Sequence, residues 1–224
     1  MKAVLFDAYG TLFDVHSVMK LAESTFPGNG SALSHAWRAR QLEYTWLRTL
    51  SDRYVDFWQV TGDALDWAAE SLRLPMTRAQ HSALLDAYLH LDPFPENLHV
   101  LRTLHAAGIV LGTLSNGSPA MLESALAHSG MRELLAHVLS VDAVRRYKTD
   151  PTAYALGTAA IGAPAAEIAF VSSNCWDAIG ATWFGYRAFW VNRTGAPLDR
   201  LGAEPAGAGH SLRDLQPFLA DGAR

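Results

Sequence analysis

The sequence predicts an α/β fold: a core built on a parallel sheet covered on both faces, interrupted by an inserted helical cap. Three observations carry this reading. Short, continuously apolar runs recur at wide spacing, as "KAVLF" (2–6), "IVLGTLS" (109–115), "HVLSV" (137–141), "IAFVS" (168–172) and "RAFWV" (187–191). Between the later runs lie amphipathic stretches at 96–107, 118–129, 151–161 and 175–184, and apolar strands alternating with helices imply a parallel sheet covered on both faces. The interval between the first two runs breaks the rhythm, because about 75 residues is far too long for one crossover connection.

Each element has its own justification. The first strand drives into Asp7 and the Gly-containing turn "DAYGT" (7–11). Residues 15–92 hold no convincing strand but much helical pattern, including "SHAWRARQLEYTWLRTL" (34–50) and "SALLDAYLHL" (82–91). We read this segment as the cap, set between core segments 1–14 and 93–224, with the prolines of "LDPFPEN" (91–97) as a hinge. Trp37, Trp46, Trp58 and Trp67 fall within it and are expected to pack its interior. Gly108 closes one helix as a C′ residue, and Pro151 opens another at the first helical position. "GAEPAGAG" (202–209) reads as a mobile surface loop.

Composition narrows the function classes. A length of 224 residues, half of them apolar, suits one domain, or a core with an insertion, around a substantial interior. The formal net charge of −4, from 18 basic and 22 acidic residues, gives no reason to expect a nucleic-acid or anionic-membrane partner. The single cysteine, Cys175, excludes an intrachain disulfide; it reads as a buried structural thiol in a reducing cytoplasm. An acid at Asp7 interrupts the N-terminal apolar run before a signal-peptide core could develop. No 18-residue apolar segment suggests a membrane span. The nine histidines offer no zinc spacing.

Ligands of an open parallel sheet bind beyond the carboxyl ends of its strands. Strand one ends in Asp7, strand two in Ser115-Asn116-Gly117, and Lys148 follows strand three. Strand four ends in Ser172, Ser173 and Asn174, with Asp177 shortly after. Singly, each has an ordinary structural explanation as a helix cap, a solvated charge or a first-turn acid. Together they bring two carboxylates, an amine and a hydroxyl to one rim.

The motifs "FDAYGTLFD", "LSNG", a lysine before Asp-Pro, and "FVSSNCWD" resemble, in order, the four motifs of the haloacid dehalogenase superfamily. Within it, "FDAYGTLFDVHS", "WRARQLEYTWLRTL" and "SSNCWDAIGA" resemble the L-2-haloacid dehalogenases. The resemblance spans nearly the whole chain. It implies the Rossmann-like core, a four-helix-type cap and a homodimer.

The superfamily's phosphatases place a second acid two residues after the first, to protonate an alkoxide, and hold Mg²⁺ with further acids. Here that second position is Tyr9, and Ser172, Ser173 and Asn174 offer a hard cation little. Halide is a very weak base that leaves without a proton, so loss of acid and metal is coherent for displacement at carbon. Such a site needs donors aimed where negative charge develops. By chemistry and resemblance, Asp7 attacks C2 and forms an aspartyl ester, and water then hydrolyses the ester at its carbonyl carbon. Lys148 keeps Asp7 ionised, while Asp177 and Asn174 orient or deprotonate the water. Thr11 and Ser115 hold the nucleophile and substrate carboxylates, with Ser172 and Tyr154 in support. Arg38 and Asn116 bind halide, and Tyr9, Leu42, Phe57 and Trp176 wall the pocket.

The implied reaction converts small L-2-haloalkanoic acids to D-2-hydroxy acids without cofactor or metal. Two alternatives stay open on the residues: a metal-dependent phosphatase of the same superfamily, and a catalytically silent domain that binds a protein partner. The sequence departs from the family pattern at Thr149, where proline is usual, and at Ala39, where a longer polar residue is common. Asp150, before Pro151, is still expected to be extended, and Ala39 bears on the size of the pocket.

Overall fold

The computed structural model describes residues 1–221. Six strands form one parallel sheet: β1 (Ala3–Phe6), β2 (Val110–Ser115), β3 (His137–Ser140), β4 (Ile168–Ser172), β5 (Arg187–Val191) and β6 (Gly207–Gly209). Their spatial order is β3-β2-β1-β4-β5-β6. The chain builds outward from β1 to β3, then returns to the other side of β1 with β4. Phe6, the last residue of β1, pairs with Thr113 on one side and Val171 on the other. This reversal of winding between β1 and β4 opens a crevice at their carboxyl ends.

β1 is buried throughout, as expected of a run lacking alternation in the middle of a two-faced sheet. Between β1 and β2 come α1 (Met19–Thr25), α2 (Gly30–Leu50), α3 (Phe57–Ser71), α4 (Arg78–Tyr88) and α5 (Asn97–Ala106). The first four form the helical layer. α3 is capped by Asp56, whose side chain accepts from the Gln59 N–H, and α4 by a reciprocal capping box between Thr77 and Gln80. The later elements are α6 (Pro119–His128), α7 (Pro151–Ile161), α8 (Cys175–Phe184) and α9 (Leu215–Asp221). Pro151 occupies the first turn of α7, and Asp150 before it is extended, with φ −61° and ψ 131°. The segments at 14 and 92–94 pair: Phe13 bridges Pro93, and the Asp14 N–H donates to the Asp92 carbonyl at 2.8 Å.

Three expectations are corrected. Residues 207–209 belong to no mobile loop: they form β6, parallel to β5. A Cβ on Gly207 would meet Phe218 at 2.6 Å, so the absence of a side chain permits the contact with α9. The tryptophans do not all fill the interior of the helical layer. Trp37 is buried, but Trp58 and Trp67 are half-buried, with the Arg40 guanidinium 3.5 Å over the Trp67 ring. Trp46 is 38 % exposed and meets Trp176 edge-on, because that face of α2 looks across to α8 rather than into its own layer. Cys175 is half-buried rather than buried; its sulfur accepts from the Asp199 N–H at 3.3 Å, and desolvation raises the thiol pKa.

Candidate active site

Beyond the carboxyl ends of β1 and β4, Asp7, Lys148 and Asp177 form a buried charge cluster. Lys148 Nζ lies 3.1 Å from Asp7 Oδ1 and 3.0 Å from Asp177 Oδ2, with both the lysine and Asp177 side chains inaccessible to solvent. Asp177 sits in the first turn of α8. Its Oδ1 accepts from Tyr154 Oη at 2.7 Å, so each carboxylate oxygen has one donor. The phenol approaches this turn because residue 180 is glycine: a Cβ there would lie 2.5 Å from Tyr154 Oη.

Thr11 links the two strand ends. Its hydroxyl donates to Asp7 Oδ2 at 3.1 Å and accepts from the Ser173 N–H at 2.8 Å. Asn174 Nδ2 donates to the same Asp7 oxygen at 2.8 Å. Oδ2 therefore has two partners and Oδ1 only the ammonium, which leaves Oδ1 the freer lone pair. Ser172 Oγ accepts from the Asn174 N–H at 3.1 Å and shapes the turn without reaching Asp7.

Charge and burial oppose each other here. Desolvation raises Asp177; the adjacent Lys148 lowers it and Asp7 raises it, leaving its pKa pushed up to about 6. For Lys148 desolvation pulls downward, but Asp177 and Asp7 overcome it and the net shift is upward. The amine stays charged. Burial, followed by Asp177, pushes the Tyr154 phenol up, so it remains a donor.

Asp7, Tyr9, Arg38, Leu42, Phe57, Ser115, Asn116, Asn174 and Trp176 line one small pocket of about 10 Å³, room for about one water. From α2, Arg38 Nη2 reaches the Tyr9 carbonyl at 3.2 Å and Asn174 Oδ1 at 3.4 Å. Asn116 Oδ1 accepts from the Lys148 N–H at 3.0 Å, tying the β2 end to the lysine loop. Ser115 Oγ accepts from the Gly117 N–H at 3.1 Å. Tyr9 is buried, and its hydroxyl has no hydrogen-bond partner in the structure. Burial, with Tyr88 beside it, raises its pKa well above the ordinary value.

The sequence-selected residues thus converge, with five behind the pocket wall: Thr11, Lys148, Ser172, Tyr154 and Asp177 do not line it. Ala39 is exposed and does not line it either, so the departure at this position lies outside the pocket wall. Among the described residues no group of three or more His, Cys, Asp or Glu side chains could hold a metal ion. The position between Asp7 and Asp177 is taken by the Lys148 ammonium.

Sequence reasoning missed two supports. One joins the α2–α3 turn to the lysine loop: Tyr54 Oη donates to Asp142 Oδ1 at 2.8 Å, Tyr147 Oη to the Val55 carbonyl at 2.7 Å, and the Tyr147 N–H to Thr49 Oγ1 at 3.1 Å. The other is the Gln41, Thr61 and Tyr88 network behind Arg38. Its trace in the sequence is a polar residue one turn after Arg38, on a buried stripe that also carries Leu33, Ser34, Trp37 and Thr45.

Fold and site together define an α/β enzyme of the Rossmann-like type, with a lysine-bridged carboxylate pair at the strand ends and an arginine supplied by the inserted helices. The chain belongs to the haloacid dehalogenase-like hydrolases, whose family model matches residues 1–185. It is 47 % identical over 213 residues to an (S)-2-haloacid dehalogenase of Pseudomonas sp. strain YL, covering 95 % of this chain and 92 % of that protein. The crystal structure of an L-2-haloacid dehalogenase aligns with TM-score 0.96 at 54 % identity, over 98 % of this chain and 99 % of that one. An L-2-haloacid dehalogenase from Xanthobacter autotrophicus, solved with chloropropionic acid covalently bound, aligns with TM-score 0.92 at 37 % identity over 100 % of both chains.

Proposed function

We propose that the protein hydrolyses small L-2-haloalkanoic acids to D-2-hydroxy acids through an ester on Asp7, with residues 15–92 acting as a cap on a core of residues 1–14 and 93–224. The observation that carries this is the pairing of Asp7 and Lys148 at 3.1 Å, facing Arg38 across a pocket that has Tyr9 where a proton donor would stand. Asp7 Oδ1 attacks C2 from the face opposite the halogen. The new C–O bond forms as the carbon–halogen bond breaks, and the halide leaves with the bonding pair toward Arg38 and Asn116. Leu42, Phe57 and Trp176 keep that side dry, which strengthens each donor. Ser115 holds the substrate carboxylate through its hydroxyl.

Water then attacks the ester carbonyl carbon, the bond from that carbon to the substrate-derived oxygen breaks, and Asp7 is restored as the hydroxy acid leaves with the proton taken from water. Asn174 orients this water and Asp177 takes its proton, a base whose upward-shifted pKa brings it near the working range. Thr11 and Lys148 hold Asp7 in place, and Ser172 and Tyr154 hold the groups behind it. No divalent cation takes part, because Lys148 occupies the position between the two carboxylates and the fourth-motif turn supplies Ser172, Ser173 and Asn174 instead of further acids.

The protein works as a homodimer in the cytoplasm. Exposed Leu47, Leu50 and Trp183 support the dimer, and a lone cysteine supports a reducing compartment. No helix among the described residues is long and apolar enough to cross a membrane. Halide release from L-2-chloropropionate, run beside p-nitrophenyl phosphate hydrolysis, tests the reading. Chloride and D-lactate are expected with no nitrophenol, and the reverse result would make the protein a phosphatase.

A further inference from the structure

Arg38 reaches the pocket from a long side chain on a helix, and a halide donor must stay where it is aimed. Its Nη1 donates at 2.8 Å to Gln41 Oε1, one turn further along α2. Gln41 is completely buried and does not line the pocket. Its remaining polar atoms are used as well: Oε1 accepts from Tyr88 Oη at 3.0 Å, and Nε2 donates to Thr61 Oγ1 at 2.8 Å. Thr61 in turn donates to the carbonyl of Phe57, a pocket wall, at 2.6 Å. Tyr88 stacks on Tyr9, another wall, at 5.7 Å and 20°. One carboxamide thus joins α2, α3 and α4 behind the arginine.

We propose that Gln41 is a positioning residue that locks the Arg38 guanidinium on the halide side of the pocket, an inference resting on the dehalogenase reading above. The amide orientation is set by its neighbours. Nε2 faces Thr61, whose proton is committed to Phe57, and Oε1 therefore faces the guanidinium and the phenol. Taking Arg38 Nη1 out of play leaves the other guanidinium donors to the Tyr9 carbonyl, Asn174 and the leaving group. Without the carboxamide acceptor, the buried end of the guanidinium would seek water or rotate.

The test separates positioning from general packing. Gln41→Met keeps the length and shape and removes the acceptor. It should slow ester formation about 10–100-fold, as an ångström-scale misplacement does, with ester hydrolysis changed less than about twofold. Chloride substrates should lose more than bromide substrates, since chloride is the poorer leaving group. In an Arg38→Ala background the same change should add less than about twofold. Gln41→Glu, which retains an acceptor for Arg38, should restore most of the rate. Equal loss in both steps, an unchanged chloride-to-bromide ratio, or multiplicative effects with Arg38→Ala would overturn the proposal. Should Gln41→Met not fold, the isosteric Thr61→Val frees the same amide to turn and is held to the same criteria. Halide release by the unsubstituted enzyme runs in parallel: none at all would overturn the dehalogenase reading and this inference together, whereas normal release with an indifferent Gln41→Met overturns this inference alone.

Discussion

On the core side of the pocket, Asp7 and Asp177 stand beyond strand ends and share one buried ammonium, Lys148, so position is set by contacts between charges. On the cap side, Arg38 stands on the middle of a 21-residue helix and is aimed by neutral amides, hydroxyls and aromatic rings from three helices. The core wall is positioned by topology: wherever β1 and β4 end, these groups meet. The cap wall is positioned by packing, which a single lost acceptor can loosen. Under the proposed mechanism the core side takes the steps that need fixed charge, and the cap side the step that needs a directed donor.

The comparison breaks most severely if Asp7 is dispensable. Asp7→Asn should cut turnover by about 10⁴–10⁶, the scale of deleting a nucleophile, while the chain stays folded. A single turnover in H₂¹⁸O with excess enzyme should place the label in Asp7 and leave the first hydroxy acid unlabelled. Label in the product instead would mean that water attacks carbon, and the core wall would lose its assigned role.

Arg38→Ala probes the other wall. Removing one aimed donor from a dry site costs about 10²–10³ in kcat, and the loss should fall on ester formation rather than hydrolysis. Burst-phase halide release measures the two steps separately. An equal loss in both would show that the two walls do not divide the reaction.

The same contrast explains what could be read from the sequence. Asp7 and Ser115 were legible because an apolar run ending in a polar residue fixes both the strand and its carboxyl end, and Lys148 and Asp177 because each follows such a strand within a motif. The five principal strands were legible for the same reason. β6 was not, since Gly-Ala-Gly has neither β-branched residues nor alternation, and its pairing depends on the free edge of β5 and on Phe218. Gln41, Thr61 and Tyr88 lie 20 and 27 residues apart in the chain and satisfy one another only once three helices have packed. Trp46 reads as interior by composition, yet it faces Trp176 across the boundary between the helical layer and the core.

Acidification sharpens the comparison by acting on the core wall alone. With Asp177 pushed up to about 6, the hydrolysis rate should fall below that pH, about tenfold for each further unit. The folding linkage has the opposite sense from the usual carboxylate. The folded-state value lies above the unfolded one, so the folded protein retains the proton between about pH 4 and 6. Over that window this group makes the protein less stable as pH rises. Lys148 contributes stability that is present below its ordinary value and lost only as strongly alkaline pH passes its raised one. Pre-steady-state rates from pH 5 to 8 check the kinetic part. A flat ester-hydrolysis rate across that range would remove Asp177 as the base.

A smaller effect is expected where the two walls are joined. Tyr54→Phe deletes the hydrogen bond to Asp142 that ties the α2–α3 turn to the lysine loop. The loss of one such bond should cost about 1–2 kcal/mol in folding free energy. Turnover should stay within about twofold, since neither Lys148 nor Arg38 loses a partner. Urea unfolding and steady-state kinetics on one preparation report both quantities. A large drop in turnover at unchanged stability would show that this joint transmits position to the lysine.

The smallest expected effect is none, and it concerns metal. A divalent cation in a carboxylate site earns its place by balancing like charges and gathering oxygen ligands. Here Lys148 Nζ already lies 3.1 Å from Asp7 and 3.0 Å from Asp177. The fourth-motif turn adds Ser172, Ser173 and Asn174, none of them an anion. An incoming cation would have to displace the ammonium or bind beside it, with strong repulsion in either case. On the cap side the proposed role of Arg38 is to supply the positive charge that the departing halide needs, which leaves neither wall a task for a metal. Dialysis against EDTA should leave halide release unchanged, and added Mg²⁺ should not raise it. Tyr9→Asp should not create a competent phosphatase, because it introduces a second carboxylate near Asp7 without supplying the remaining ligands; it should also impair dehalogenation by raising the cost of ionising both acids. Recovery of activity by Mg²⁺ after chelation would mean that the core wall is completed by a cation, and the metal-dependent phosphatase reading would take precedence.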